Sequence, residues 1–129
     1  MDIRNKSVLV TGGAGFIGSH VVQRLAEQNK IEVIDSLDSG ERGRLPEDVE
    51  LHEIDLLNRD EVSEAVSPDT DIVFHLAANS DVRSGAENPR LDLEQNTVAT
   101  NNLLEAMNET GVKKIVFTST STVYGEDVP

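Results

Sequence analysis

Apolar positions along the chain change their period several times, and each change marks an element. Ser7–Thr11 (SVLVT) is a short run rich in β-branched residues and reads as a strand. Directly after it, residues 16–28 carry Ile17, Val21, Val22, Leu25 and Ala26 at helical spacing, which predicts an amphipathic helix. IEVID (31–35) predicts a second strand. SLDSGERGRLPED (36–48) is polar, holds two glycines and a proline, and predicts a loop. ELHEID (50–55) alternates as a third strand, 59–66 forms a short helix closed by Ser67 and Pro68, and DIVFHLAA (71–78) is a fourth, mostly buried strand. A second polar loop covers 79–88. Pro89, acceptable in a first helical turn, opens a long helix to about Asn108 that Gly111 stops, and KKIVFTST (113–120) is the fifth strand.

Strands alternating with helices imply parallel pairing, right-handed crossovers and helices on both sheet faces. The expected fold is α/β, a doubly wound parallel sheet of the Rossmann type with strand order 3-2-1-4-5, truncated after the fifth strand. A ligand site is expected beyond the C-terminal strand ends, where the order reverses between the first and fourth strands. Stopping at the fifth strand leaves a sheet edge and a helix-packing surface uncovered, so self-association is expected.

Composition narrows the function classes. The 129 residues suit one domain, contain no cysteine, and so exclude disulfides and thiolate metal sites. Three histidines, at 20, 52 and 75, show no metal-ligand spacing, so no metal is expected. No apolar run reaches the ~20 residues of a membrane helix, and MDIRNK lacks a signal-peptide core; a soluble, cytoplasmic protein is expected. A formal charge of −13 with few, unclustered lysines argues against nucleic acid. Acidity spread along the chain suits a halophilic surface, where salt screens its self-repulsion; an ordinary acidic cytosolic protein is the alternative.

The glycines carry the candidate chemistry. Gly12, Gly15 and Gly18 give G-x-x-G-x-x-G, and Gly13-x-Gly15-x-x-Gly18 also fits the dinucleotide fingerprint. One glycine permits the tight turn, one lets a pyrophosphate approach bare backbone, and one lets helix pack on strand. The helix N-terminus adds free N–H groups and partial positive charge. Asp35 ends the next strand 17 residues after Gly18, where a carboxylate accepts both ribose hydroxyls and repels a 2′-phosphate, favouring NAD over NADP. Arg42 and Arg44, in the following loop, read as solvated charges.

VTGGAGFIGSH, VIDSLDSG, HEIDLL, VFHLAA, NTVATNNLLEAM and FTSTSTVYGE resemble, in order, the landmarks of the extended short-chain dehydrogenase/reductase family, and within it the nucleotide-sugar epimerases. The likeness runs from Ser7 to about Glu126. It implies that Phe16 and Ile17 lie against the pyrophosphate, and that Asp35, Ser36, Leu37, Asp38, Ser39 and Gly40 surround the adenosine ribose. Asp55 and Leu56 would meet the adenine edge, with strand-end capping as the other reading of Asp55. Leu76, Ala77, Ala78 and Ser80 would line the nicotinamide side. Asn96 would brace the strand ends or cap its own helix. Ser119 and Thr120 would lie beside the reacting sugar carbon, Thr120 at the family's catalytic Ser/Thr position. His75, in a buried strand, reads as a satisfied core histidine.

The resemblance also implies a mechanism. A Tyr-x-x-x-Lys pair moves the proton while hydride passes transiently to NAD, giving a keto-sugar from a nucleotide-sugar, a UDP-sugar in particular. The only tyrosine, Tyr124, has Val128 four residues on, so this chain holds the NAD-binding N-terminal portion without that pair or the substrate region, and is expected to be inactive alone. Ser121 and Thr122 stand where the family's dehydratases carry Asp-Glu and its decarboxylases Glu, which favours epimerase chemistry. A stand-alone NAD-binding module without turnover stays open as an alternative. The family commonly forms homodimers.

Overall fold

A computed structural model describes residues 3–119. Five strands, β1 (Ser7–Thr11), β2 (Lys30–Asp35), β3 (Glu50–Glu53), β4 (Ile72–His75) and β5 (Ile115–Phe117), form one sheet in the order β3-β2-β1-β4-β5. Every pairing is parallel. The expected doubly wound topology is therefore present. β1 sits at the centre, with Val10 opposite Val33 of β2 and Phe74 of β4.

The strand period of two divides the core into two layers. Leu9, Ile34 and Val73 point to one face, where they meet Val62 of α2 (Arg59–Ala65) and Leu103, Ala106 and Met107 of α5 (Ala99–Thr110). Val8, Val10, Ile31, Val33 and Ile72 point to the other, against Val22 of α1 (Phe16–Ala26). Central strands buried on both faces read as continuous apolar runs, which is why β1 and β4 show no polar alternation. Asn102 bridges the layers' periphery: its side-chain Nδ2 donates to the carbonyl of Leu56 at 2.8 Å, fastening α5 to the turn after β3.

Three departures from the sequence reading have local causes. The polar stretch after β4 is not all loop, because α3 (Val82–Glu87) forms within it. Asp81 caps this helix, its carboxylate accepting the Arg83 N–H at 3.0 Å. The long helix expected from Pro89 is broken into α4 (Pro89–Asp92), a π-helical turn (Leu93–Val98) and α5. The π turn keeps the apolar period nearly intact, so the pattern alone does not reveal it. The third, fourth and fifth strands are shorter than predicted, the fourth because residues 76–78 leave the sheet towards the glycine turn. Gly111 does end α5, at φ 81°.

Beside α1, the side chains of Phe16, Ile17, Val21, Leu25, Ile3 and Phe74 line an open apolar groove of about 600 Å³. At the sheet edge, Phe117 is 56% exposed. Two such surfaces are expected to drive association of the 129-residue chain. Static light scattering at micromolar concentrations should give a mass well above 14.0 kDa. A strictly monomeric, cooperatively folded chain would contradict this.

Candidate functional site

The turn between β1 and α1 is shaped by what its glycines touch. Gly12 has φ +68°, and a Cβ there would lie 2.7 Å from the Ala77 backbone nitrogen. A Cβ on Gly18 would overlap the Gly12 carbonyl oxygen. Both positions are closed to any side chain. Gly15 differs: its missing Cβ would meet only the Gly12 carbonyl, at 3.3 Å, and otherwise open space. That is where a phosphate can approach bare backbone. Gly15 also forms the N-cap of α1 without a side-chain cap, and no acidic residue occupies the first turn. Phe16 and Ile17 stand 74% and 68% exposed at this helix start.

Asp35 closes one side of the turn. Its Oδ2 accepts the Ala14 N–H at 2.9 Å, and its Oδ1 accepts the Leu37 N–H at 2.9 Å. Residues 36–40 fold back over it: Leu37 takes a left-handed φ of 62°, and Gly40 leaves room where a Cβ would sit 2.7 Å from Asp35 Oδ1. The Glu41 N–H then reaches the Ala14 carbonyl at 3.0 Å. Ser36 donates its hydroxyl to Asp38. A carboxylate offers about four lone-pair sites. Two are used here, so the group is fixed in place with acceptor capacity left for a diol. The bare backbone at Gly15 and this anchored carboxylate fit a dinucleotide.

The opposite wall comes from the end of β4. Leu76 N–H donates to the Thr11 carbonyl at 3.1 Å and Ala77 N–H to the Thr11 hydroxyl at 3.3 Å, bringing Leu76 and Ala77 directly against the glycine turn. Asn96, carried on the π turn, accepts the Asn79 N–H on its Oδ1 at 2.7 Å and donates from Nδ2 to Asp92. It braces the strand-end segment and does not cap its own helix. Ala78 and Ser80 belong to that same segment. Thr11 and Asp92, which sequence reasoning missed, hold these groups together. The available signal for Thr11 was a polar residue closing an otherwise apolar strand.

The remaining candidates are more dispersed. Asp55 caps a turn, its Oδ1 accepting the Leu57 N–H at 2.9 Å, while Leu56 buries its side chain in the core. Ser119 follows β5 and is exposed; Thr120 lies outside the described residues. Arg44 pairs with Glu41, and Arg42 donates to the Val49 carbonyl. His52 and Glu50 of β3 and Glu32 of the neighbouring β2 bring three potential ligand atoms within 4.8 Å of one another, where the Lys30 ammonium already occupies Glu32 at 2.8 Å.

Fold and glycine turn together define a Rossmann dinucleotide-binding domain. Residues 8–129 match the family described as "NAD dependent epimerase/dehydratase family". The chain is 41% identical over 129 residues to the UDP-glucose 4-epimerase of Streptococcus mutans, covering 95% of this chain and 39% of that protein. Two solved structures are also similar. The Thermus thermophilus UDP-glucose 4-epimerase complex with NAD has a TM-score of 0.82 at 42% identity, over 88% of this chain and 37% of the other. The Thermotoga maritima UDP-glucose 4-epimerase with UDP-glucose has a TM-score of 0.90 at 38% identity, over 95% and 41%. The chain belongs to the NAD-dependent epimerase/dehydratase family, whose cofactor is NAD. It spans about two fifths of the length of the relatives it matches. No helix among the described residues is long and apolar enough to cross a membrane.

His75 is 1% exposed, and burial pushes its pKa from 6.5 down to about 4. The unfolded chain therefore binds the extra proton between those values while the folded chain does not. Its contribution to stability is full above pH 6.5 and is lost as pH falls towards 4. Urea unfolding should show a lower midpoint at pH 5 than at pH 7, and His75→Asn should shrink the difference. An unchanged difference would contradict the assignment.

Proposed function

We propose that the chain is the NAD-binding portion of a nucleotide-sugar epimerase, most like UDP-glucose 4-epimerase. The observation that carries this reading is the Asp35 carboxylate, anchored by Ala14 and Leu37 beside the bare backbone at Gly15. The names of the similar proteins support the sugar class.

In this reading Gly12, Gly15 and Gly18, with Phe16 and Ile17, hold the pyrophosphate at the N-terminus of α1. Asp35 accepts the adenosine diol, while Ser36, Leu37, Asp38, Ser39 and Gly40 enclose it. Asp55 and Leu56 bound the adenine. Leu76, Ala77, Ala78 and Ser80, braced by Asn96, face the nicotinamide. When bound, NAD would supply the redox chemistry, a reversible hydride exchange with the sugar. Ser119 and Thr120 place hydroxyls for the sugar oxygen. The family's Tyr-x-x-x-Lys does not occur in residues 1–129, so proton transfer is not assigned to them. Ser121 and Thr122, in place of carboxylates, favour epimerisation over dehydration or decarboxylation. The acidic, lysine-poor composition supports a cytoplasm of high salt.

Calorimetry separates the cofactors. NAD should bind the parent chain more tightly than NADP, and Asp35→Ala should weaken NAD by about tenfold or more, in line with a charge-assisted hydrogen bond. NADP should lose much less. Equal losses for both dinucleotides would remove the basis for choosing NAD.

A further inference from the structure

A chain of hydrogen bonds crosses the sheet from the π turn to the glycine turn, with His75 in its middle. The Thr100 hydroxyl lies 2.6 Å from the Asn96 carbonyl, which can only accept, so its one proton points there. His75 Nε2, 2.8 Å from the same Thr100 oxygen, must then be the donor. In the neutral ring this leaves Nδ1 bare, and it accepts the Thr11 hydroxyl at 2.6 Å. The Thr11 oxygen in turn accepts the Ala77 N–H at 3.3 Å. Every proton in the sequence Ala77, Thr11, His75, Thr100, Asn96 runs in one direction. Reversing the imidazole tautomer would pull the Thr100 proton away from the Asn96 carbonyl and leave the Thr11 hydroxyl proton without its acceptor.

Both ends of this chain lie in the wall opposite Asp35. Thr11 immediately precedes Gly12, where a Cβ would lie 2.7 Å from the Ala77 backbone nitrogen. Asn96 holds the Asn79 N–H through its side chain. The register places Thr11 directly opposite His75, so one ring bridges β1 and β4 at the point where the strands part. Phe117 of β5 stacks on that ring at 5.7 Å, which restricts its tilt.

We propose that His75 is a positioning residue for the cofactor: held as the Nε2–H tautomer between Thr11 and Thr100, it sets the spacing between the glycine turn and the segment after β4. It touches neither dinucleotide nor sugar. Its effect on affinity rests on the NAD-binding reading, whereas its tautomer and its hold on the two segments do not. A merely space-filling histidine would tolerate either tautomer and would stabilise the whole domain evenly.

Nitrogen-15 NMR of the NAD-free chain at neutral pH should show His75 neutral, with Nδ1 bare and Nε2 protonated. Thr100→Val removes the Nε2 partner at nearly constant shape. Amide exchange in this variant should quicken about tenfold at Gly12, Ala77 and Asn79, relative to Leu9 and Leu103. His75→Phe should show the same selective effect, and His75→Asn, which can still accept from Thr11, should recover part of it at Ala77. In calorimetry, Thr100→Val should weaken NAD about five- to tenfold, the scale of one buried hydrogen bond. The Nδ1–H tautomer, or uniform exchange across the domain in Thr100→Val, would overturn the proposal. So would NAD affinity unchanged in both Thr100→Val and His75→Phe. If the parent chain itself bound no NAD, the cofactor reading would fall, and the NMR and exchange results would still decide the role of His75.

Discussion

Two backbone amides converge on one carboxylate at the end of β2, and the organisation of the site follows from that convergence. Asp35 is 9% exposed, so its charge is largely withdrawn from water and has to be met by donors within the fold. Ala14 and Leu37 supply them. The Ala14 bond fixes the glycine turn relative to β2, and the Leu37 bond forces the following residues to double back in a left-handed conformation. Hydrogen bonds to a charged group contribute about 1.5–3 kcal/mol each, enough to hold a strained loop residue in place. The carboxylate is thereby a structural hub with acceptor sites still available.

The opposite wall is held by different chemistry. There the donors and acceptors are neutral, and direction replaces charge as the organising feature. Thr11, His75 and Thr100 pass a single proton order through the core, while Asp92 gathers the Asn79 and Asn96 amides at the surface end. Gly85 makes room for that carboxylate, since a Cβ there would overlap it. A charged cup on one side and an ordered neutral chain on the other leave the backbone between them bare. Such a division suits a ligand with a diol at one end and a flat aromatic ring at the other.

Much of this was legible in residue order. β1 matches its apolar run residue for residue, α1 starts at Phe16 between the second and third spaced glycines as the pattern predicts, and Gly111 closes α5 as its lack of a side chain implies. The order of the strands followed from alternation alone. What the pattern hid was local. α3 is polar, six residues long and secured by the Asp81 cap, so no apolar period announces it. The π turn shifts Asn96 by a fraction of a turn, a change invisible to periodicity but decisive for where its amide points. The partners of His75 were partly readable: Thr11 closes the first strand, His75 falls inside the predicted fourth strand, and the order 3-2-1-4-5 makes those strands neighbours. Thr100, on a helix that the sequence read as unbroken, was not.

The account stands on bare backbone around Gly15 meeting a diphosphate while Asp35 holds the adjoining diol. Its most direct measurement is an amide NMR titration of the nitrogen-15-labelled chain with NAD. Saturable shifts are predicted to be largest at Ala14, Gly15, Phe16, Ile17, Gly18 and Leu37, with loss of saturation in Asp35→Asn. A folded chain whose spectrum stayed unchanged at millimolar NAD, or whose shifts gathered instead along the apolar groove at Ile3 and Leu25, would contradict it.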